Sequence, residues 1–180
     1  MKIGILTYFD GINFGAYAQV FALHNRLKEL GYENKVIAYK NKTHVKGELK
    51  SLFWTKNPKV FLSNIKKFIK FRILQKKLVT TINICDSHKI NDLGLDIIIV
   101  GSDEVWNYKN DLFGIDGAYF GIPFNNTRII SYAGCFGKVS PDEILPDELI
   151  TGLNKFKYLS VRDDNSYKMI EKFLHRQPEL

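Results

Sequence analysis

Three short stretches hold the residues best placed for chemistry in this chain: "GINFGAYAQ" (11–19), "GSDEVWN" (101–107) and "SVRDDNS" (160–166). Asp103 follows an apolar run directly, so its carboxylate can serve as a general base or orient an attacking hydroxyl; the competing role is to cap the turn behind it. The guanidinium of Arg162 offers paired donors to a planar anion such as a carboxylate or phosphate, with an ion pair to Asp163 or Asp164 as the alternative. Trp106 has ring faces suited to stacking on a sugar, or equally to burial within a loop. In the first stretch Gly11, Asn13 and Gly15 alternate with larger residues. Free N–H groups at a helix start there can meet an anion or a sugar hydroxyl, or the glycines can serve turn geometry alone. The G-x-N-x-G spacing lacks the third glycine of a dinucleotide fingerprint and carries the bulky Phe14, so no nucleotide is implied.

Other reactive side chains are less telling. His24, His44, His88 and His175 fall outside these stretches, and none pairs with carboxylates or thiols at metal-ligand spacing. Cys85 and Cys135 stand fifty positions apart without a C-x-x-C pair, which excludes a zinc ribbon or a disulfide scaffold and leaves reduced, semi-buried thiols.

The elements that must position these residues alternate along the chain. Apolar strands are expected at 2–7, 34–39, 95–103, 127–134 and 158–163. Between them, Val20, Leu23, Leu27 and Leu30 mark one face of a helix over 15–30 that stops at Gly31, and Ser140, Pro141 and Glu143 form a helix-start signal for 141–156. A last helix is expected over 165–174, and a further strand after it, so the chain is expected to continue past Leu180. Short apolar strands alternating with helices give an α/β fold, a Rossmann-like parallel sheet with helices on both faces. Ligands of such sheets gather beyond the carboxyl ends of the strands. On that rim fall Asn13, Ser102, Asp103, Trp106, Asn107 and Arg162.

At 180 residues and 45% hydrophobic content the chain suffices for one domain. No run is long enough for a signal-peptide core or a spanning helix, so a soluble cytoplasmic protein is expected. The net charge of +7 is uneven: residues 41–90 carry twelve Lys/Arg against two acids. Within this insert Leu62, Ile65, Ile69 and Ile73 recur at helical spacing, with Lys59, Lys66, Lys67, Lys70, Lys76 and Lys77 over much of the remainder. Three readings of this basic helix stand side by side: a solvated helix packed on the domain, a surface for anionic lipid or acidic polymer, and nucleic-acid binding. The last lacks any recognition motif, so no nucleic-acid partner is expected.

Taken together and in order, four blocks closely resemble the polysaccharide pyruvyl transferase family. The family's opening reads much like N-[FY]-G-A-x-x-Q, its middle like G-S-D-x-[VI]-W-N, and its later pair like S-Y-A-x-x-F-G and S-x-R-[DE]. The matching residues are Asn13, Gly15, Ala16 and Gln19; Gly101, Ser102, Asp103, Trp106 and Asn107; Ser131 to Ala133 with Phe136 and Gly137; and Ser160, Arg162 and Asp163. The resemblance implies transfer of a pyruvyl group from phosphoenolpyruvate, a donor substrate and not a cofactor, onto a sugar of a cell-surface polysaccharide. It implies a two-lobed GT-B arrangement, of which residues 1–180 are the N-terminal lobe with the C-terminal lobe absent, so that this lobe alone is expected to be inactive. Asp103 becomes the candidate catalytic residue, and Asn13, Gly15, Gln19, Ser102, Trp106, Asn107 and Arg162 the candidate substrate-binding set, with no metal and no cofactor. The first turn is expected to wall the acceptor side of the cleft, Gly15 letting its helix start close to the sheet. A lipid-linked acceptor would bring the basic insert to the inner membrane face. The other class that remains open is a non-catalytic domain binding a glycan or a partner.

Overall fold

The computed structural model describes residues 1–9, 13–40, 43, 46–47, 50, 54–110 and 114–180. Gly11 of the first turn, His44, and part of the basic insert lie outside the described residues. Five strands form one sheet, all neighbours parallel, in the order β2-β1-β3-β4-β5: β1 (Lys2–Leu6), β2 (Glu33–Val36), β3 (Ile97–Gly101), β4 (Arg128–Tyr132) and β5 (Phe156–Tyr158). Among the described residues the helices with defined bounds are α1 (Phe14–Glu29), α2 (Pro58–Gln75), α3 (Asp147–Asn154) and α4 (Asp164–Leu174), with a 3-10 helix at Ser87–Leu93. This is the Rossmann-like α/β arrangement expected.

Successive side chains of a strand point to opposite faces, so the central strands feed two cores. Ile3, Ile5 and Ile99 meet Tyr17, Val20 and Leu27 of α1 and Phe71 of α2 on one face. Leu6, Ile98 and Val100 look the other way, into a cluster with Leu149 and Leu153 of α3 and Met169 and Ile170 of α4. The chain therefore leaves β1 on one face and β3 on the other. Their carboxyl ends flank the switch point where open α/β sheets present a crevice.

Three elements differ from the sequence reading. β2 is regular only to Val36, because residues 79–84 run along its outer edge: Val36 N donates to Val79 O at 2.9 Å, and Ile84 N donates to Ala38 O at 2.9 Å. This segment covers an edge that would otherwise lie open. In the stretch 141–156 the start signal forms, with Ser140 N donating to Glu143 Oε1 at 3.1 Å and Asp142 N to Ser140 Oγ at 3.2 Å. It closes only a turn, because Pro146 lacks an N–H and disfavours helical backbone at Leu145; the helix begins behind the proline. β5 begins at Phe156, its register shifts between the pairs Ile129–Phe156 and Ile130–Tyr158, and beyond Tyr158 the chain pairs through isolated bridges. One of these joins Ser160 to Glu179, so the residues after α4 do run parallel to β5.

The two helices on the first face contrast. α1 buries Val20 and Leu27 and half-buries Leu23, and stops as expected at Gly31 (φ 82°), where Tyr32 N donates to Leu27 O at 3.0 Å. In α2 the Leu/Ile stripe does not pack inward: Leu62, Ile69 and Ile73 are 53–58% exposed. The anchor is the other face and the last turns. Phe71 is buried edge-on against Phe14 and Tyr17, with ring centroids 5.4 and 5.7 Å away. Tyr17 Oη donates to Leu74 O at 2.9 Å, and Gln75 Nε2 donates to Phe9 O at 2.8 Å.

Candidate functional site

Two residues with side chains sit in the left-handed region directly after strands: Ser102 (φ 53°) behind β3 and Ala133 (φ 52°) behind β4. Each costs on the order of 1 kcal/mol or more, so the surroundings must hold them there. Ser102 N donates to Tyr132 O at 3.0 Å and Trp106 N to Cys135 O at 3.1 Å, tying the β3 and β4 loops together. Ser131 and Ser160 stitch β4 to the chain after β5: Ser131 Oγ donates to Ser160 O at 3.0 Å and receives Ser160 N at 2.9 Å, while Ala133 N donates to Ser160 Oγ at 3.3 Å.

Trp106 supports this rim from beneath. It is fully buried, its Nε1 donates to Tyr119 O at 2.9 Å, and its ring packs on Phe136 and Phe156. A Cβ on Gly134 would come within 2.6 Å of the indole, which is why the β4 loop needs glycine at that point. The sugar-stacking reading of Trp106 is thereby corrected: the ring has no exposed face to offer. Asn107 likewise faces the protein, donating from Nδ2 to Glu104 Oε2 at 3.0 Å.

Asn13 is the N-cap of α1, its Oδ1 accepting from Gly15 N at 2.9 Å and Ala16 N at 3.2 Å. A Cβ on Gly15 would lie 3.2 Å from that oxygen, so the glycine makes room for the cap and not, as expected, for the sheet. Gln19 is half-buried one turn on. No hydrogen bond joins these three to Asp103 or Arg162 among the described residues.

Asp103 and Arg162 are brought together. Asp103 is half-buried and its Oδ1 accepts from Glu104 N at 2.8 Å, the turn-capping contact weighed against catalysis. Burial pushes its carboxyl above the ordinary aspartate value, against the lowering effects of that N–H and of the Arg162 charge. Arg162 is exposed on the rim, its Nη2 donating to Cys135 Sγ at 3.1 Å. The buried Cys135 thiol in turn donates to Asp163 Oδ2 at 3.0 Å and accepts from Gly137 N at 3.1 Å. Burial, then the bond to Asp163, raises its pKa, so it remains a thiol. Asp163 also caps α4, accepting from Ser166 N at 2.8 Å.

Two participants escape the sequence reading. Tyr8, two residues beyond β1, packs on Tyr119 at 4.4 Å between ring centroids. Burial, then the charges of Asp116 and Asp103, holds its hydroxyl protonated far above neutral pH. Its place just past a strand end was the available signal. Asp116 is buried and accepts from Tyr39 Oη at 3.2 Å and Ala118 N at 3.0 Å; nothing in its sequence surroundings marked it.

Elsewhere, His24 is buried with Nδ1 2.5 Å from Asn34 Oδ1. No group of three His, Cys, Asp or Glu side chains among the described residues is placed to hold a metal ion, and no described helix is long and apolar enough to cross a membrane. An open cleft lined by Lys2, Glu33, Thr81 and Asp92 lies at the amino ends of the strands, the end opposite the strained loops and the one that parallel sheets do not use for ligands. The family model for polysaccharide pyruvyl transferase matches residues 13–180. No curated protein and no solved structure matches the chain.

Proposed function

The chain belongs to the polysaccharide pyruvyl transferase family, and from that premise we propose that its carboxyl rim binds the sugar acceptor and activates it toward phosphoenolpyruvate. In this reading one acceptor hydroxyl adds to the enol carbon bearing the phosphate while a proton goes to the methylene carbon. A second hydroxyl then displaces inorganic phosphate, leaving a pyruvate ketal across the two oxygens. The steps need a base for each hydroxyl, a proton donor, and cations facing the phosphate and carboxylate.

One observation carries the proposal: Asp103, half-buried with its proton affinity raised, stands beside the exposed Arg162 at a strained strand end. Asp103 takes the hydroxyl proton. Arg162 faces the developing anion with its paired donors. Tyr8, kept as a neutral phenol, donates a hydrogen bond to a sugar oxygen. The donor is held chiefly by a second lobe in a GT-B arrangement, and the acceptor is a polysaccharide unit, in a lipid-linked form, met at the cytoplasmic face of the membrane.

The test is phosphate release from phosphoenolpyruvate by the protein made from the native gene. Asp103→Ala and Arg162→Ala are each expected to lower it by about 100-fold or more. Competition by a nucleotide sugar, with none by phosphoenolpyruvate, would replace the donor. Unchanged release in Asp103→Ala would leave the rim a binding surface without chemistry.

A further inference from the structure

We propose that the outward face of α2 docks on an anionic lipid surface. At about 100° per residue, Leu62, Ile69 and Ile73 fall within an arc of about 40°, and Lys59, Lys66 and Lys70 fill the next arc of about 40°. All six side chains are exposed, and α2 contains no acidic residue. A continuous apolar stripe bordered by cations is the composition of a helix that lies in a lipid interface, the stripe entering the acyl boundary and the lysines meeting anionic headgroups. A second copy of the chain fits less well, because a two-fold contact places the same patch on both sides and sets lysine against lysine.

Position joins this surface to the rim. The last turns of α2 are fixed to Phe9 by Gln75 and to the first turn of α1 by the contact of Phe71 with Phe14, both on the face opposite the stripe, so the thickness of one helix separates a bilayer lying along α2 from the carboxyl end of β1. An acceptor anchored in the same bilayer would reach the rim across that thickness with its anchor in place. Which substrate the docking serves rests on the proposed function; the docking itself does not.

The experiment is co-sedimentation of the 180-residue chain with phosphatidylcholine vesicles, with and without about 30% phosphatidylglycerol. Binding is expected to the anionic vesicles and to be about tenfold or more weaker to neutral ones, falling as salt rises. Leu62→Ser, Ile69→Ser and Ile73→Ser combined should reduce it about tenfold or more at unchanged melting temperature, since the positions are exposed. Lys59→Gln, Lys66→Gln and Lys70→Gln combined should reduce it and flatten its salt dependence. Ile69→Trp should show a blue-shifted emission on anionic vesicles relative to buffer. Equal binding by the serine variant, equal binding to both vesicle types, or loss of a dimer in the serine variant without any vesicle binding by the parent would each overturn the proposal. Because none of these readouts involves phosphate release, failure here and failure of the transferase reading are separable.

Discussion

Two aspartates stand on either side of Arg162, Asp103 behind β3 and Asp163 behind β5, and they receive different numbers of hydrogen bonds. Asp163 accepts from the Cys135 thiol and from Ser166 N. Burial would raise its carboxyl, but those bonds and the Arg162 charge outweigh it and hold the group below the ordinary value of 3.8. Asp103 accepts a single backbone N–H among the described residues, and there burial prevails. The same guanidinium thus neighbours one carboxylate whose bonding is satisfied by the protein and one with acceptor capacity left over. The first serves as a support, and the second keeps the acceptor capacity that the proposed base needs, a distinction made by hydrogen bonding and not by residue type or by the nearby charge.

The strongest way to break that distinction is Asp103→Asn. Phosphate release should fall about 100-fold or more in the protein made from the native gene, while stability at pH 7 is unchanged or raised. The sign follows from linkage: a folded-state value above the unfolded one means that stability is greatest below the unfolded value and is lost as pH rises through the folded one. Removing the charge relieves that loss. A drop in stability comparable to a lost cap would instead make Asp103 a support like its counterpart. Next in size is Asp163→Ala, expected to cost about 1–2 kcal/mol in urea unfolding at pH 7 through loss of the α4 cap. Here the sign is opposite: stability from Asp163 is present above the unfolded value and is lost as pH falls through the folded one, so the gap between parent and variant should narrow as pH falls below the ordinary value of 3.8. A gap that persists in acid would mean that the cost lies in packing around Ser166.

The same separation of support from opening decides how much could be read from the residues alone. The parallel sheet, strands β1, β3 and β4 and the stop of α1 at Gly31 were legible because apolar runs and glycine placement are local signals, whereas the bounds of β2 and β5 depend on what pairs with them. The start of α3 was not, since the Ser140–Glu143 box competes with Pro146 and the proline wins. For α2 the periodicity reported that an apolar stripe exists but not what covers it; the aromatic contacts of Phe71 took the inward side and left Leu62, Ile69 and Ile73 outside. At the rim several of the motif residues bond within the protein, which their spacing in the sequence does not report. Trp106, Asn107 and Asn13 all spend their polar groups on the protein. Tyr8 and Asp116 went unread because a lone tyrosine or aspartate carries no spacing signal, and Cys135 was read only as a thiol, its bonds to Arg162 and Asp163 being made by the fold.

Cys135 gives the finest test of the comparison, because its sulfur is the hinge between Arg162 and Asp163. Cys135→Ala removes the donor to Asp163 Oδ2 and the acceptor for Arg162 Nη2 and Gly137 N in one change while keeping most of the buried volume. The direct stability cost should be about 1–3 kcal/mol, since three bonds of modest net worth are lost together. The more informative readout is the Asp163 carboxyl titration by NMR. Without the thiol bond its pKa should rise toward 3.8, and the two aspartates flanking Arg162 should become more alike. Cys135→Ser, which restores a donor on a shorter side chain, should return part of the depression. If the Asp163 value does not move in Cys135→Ala, then the Ser166 cap and the Arg162 charge alone separate the two carboxylates, and the cysteine serves Arg162 only, fixing the direction in which its guanidinium faces the rim.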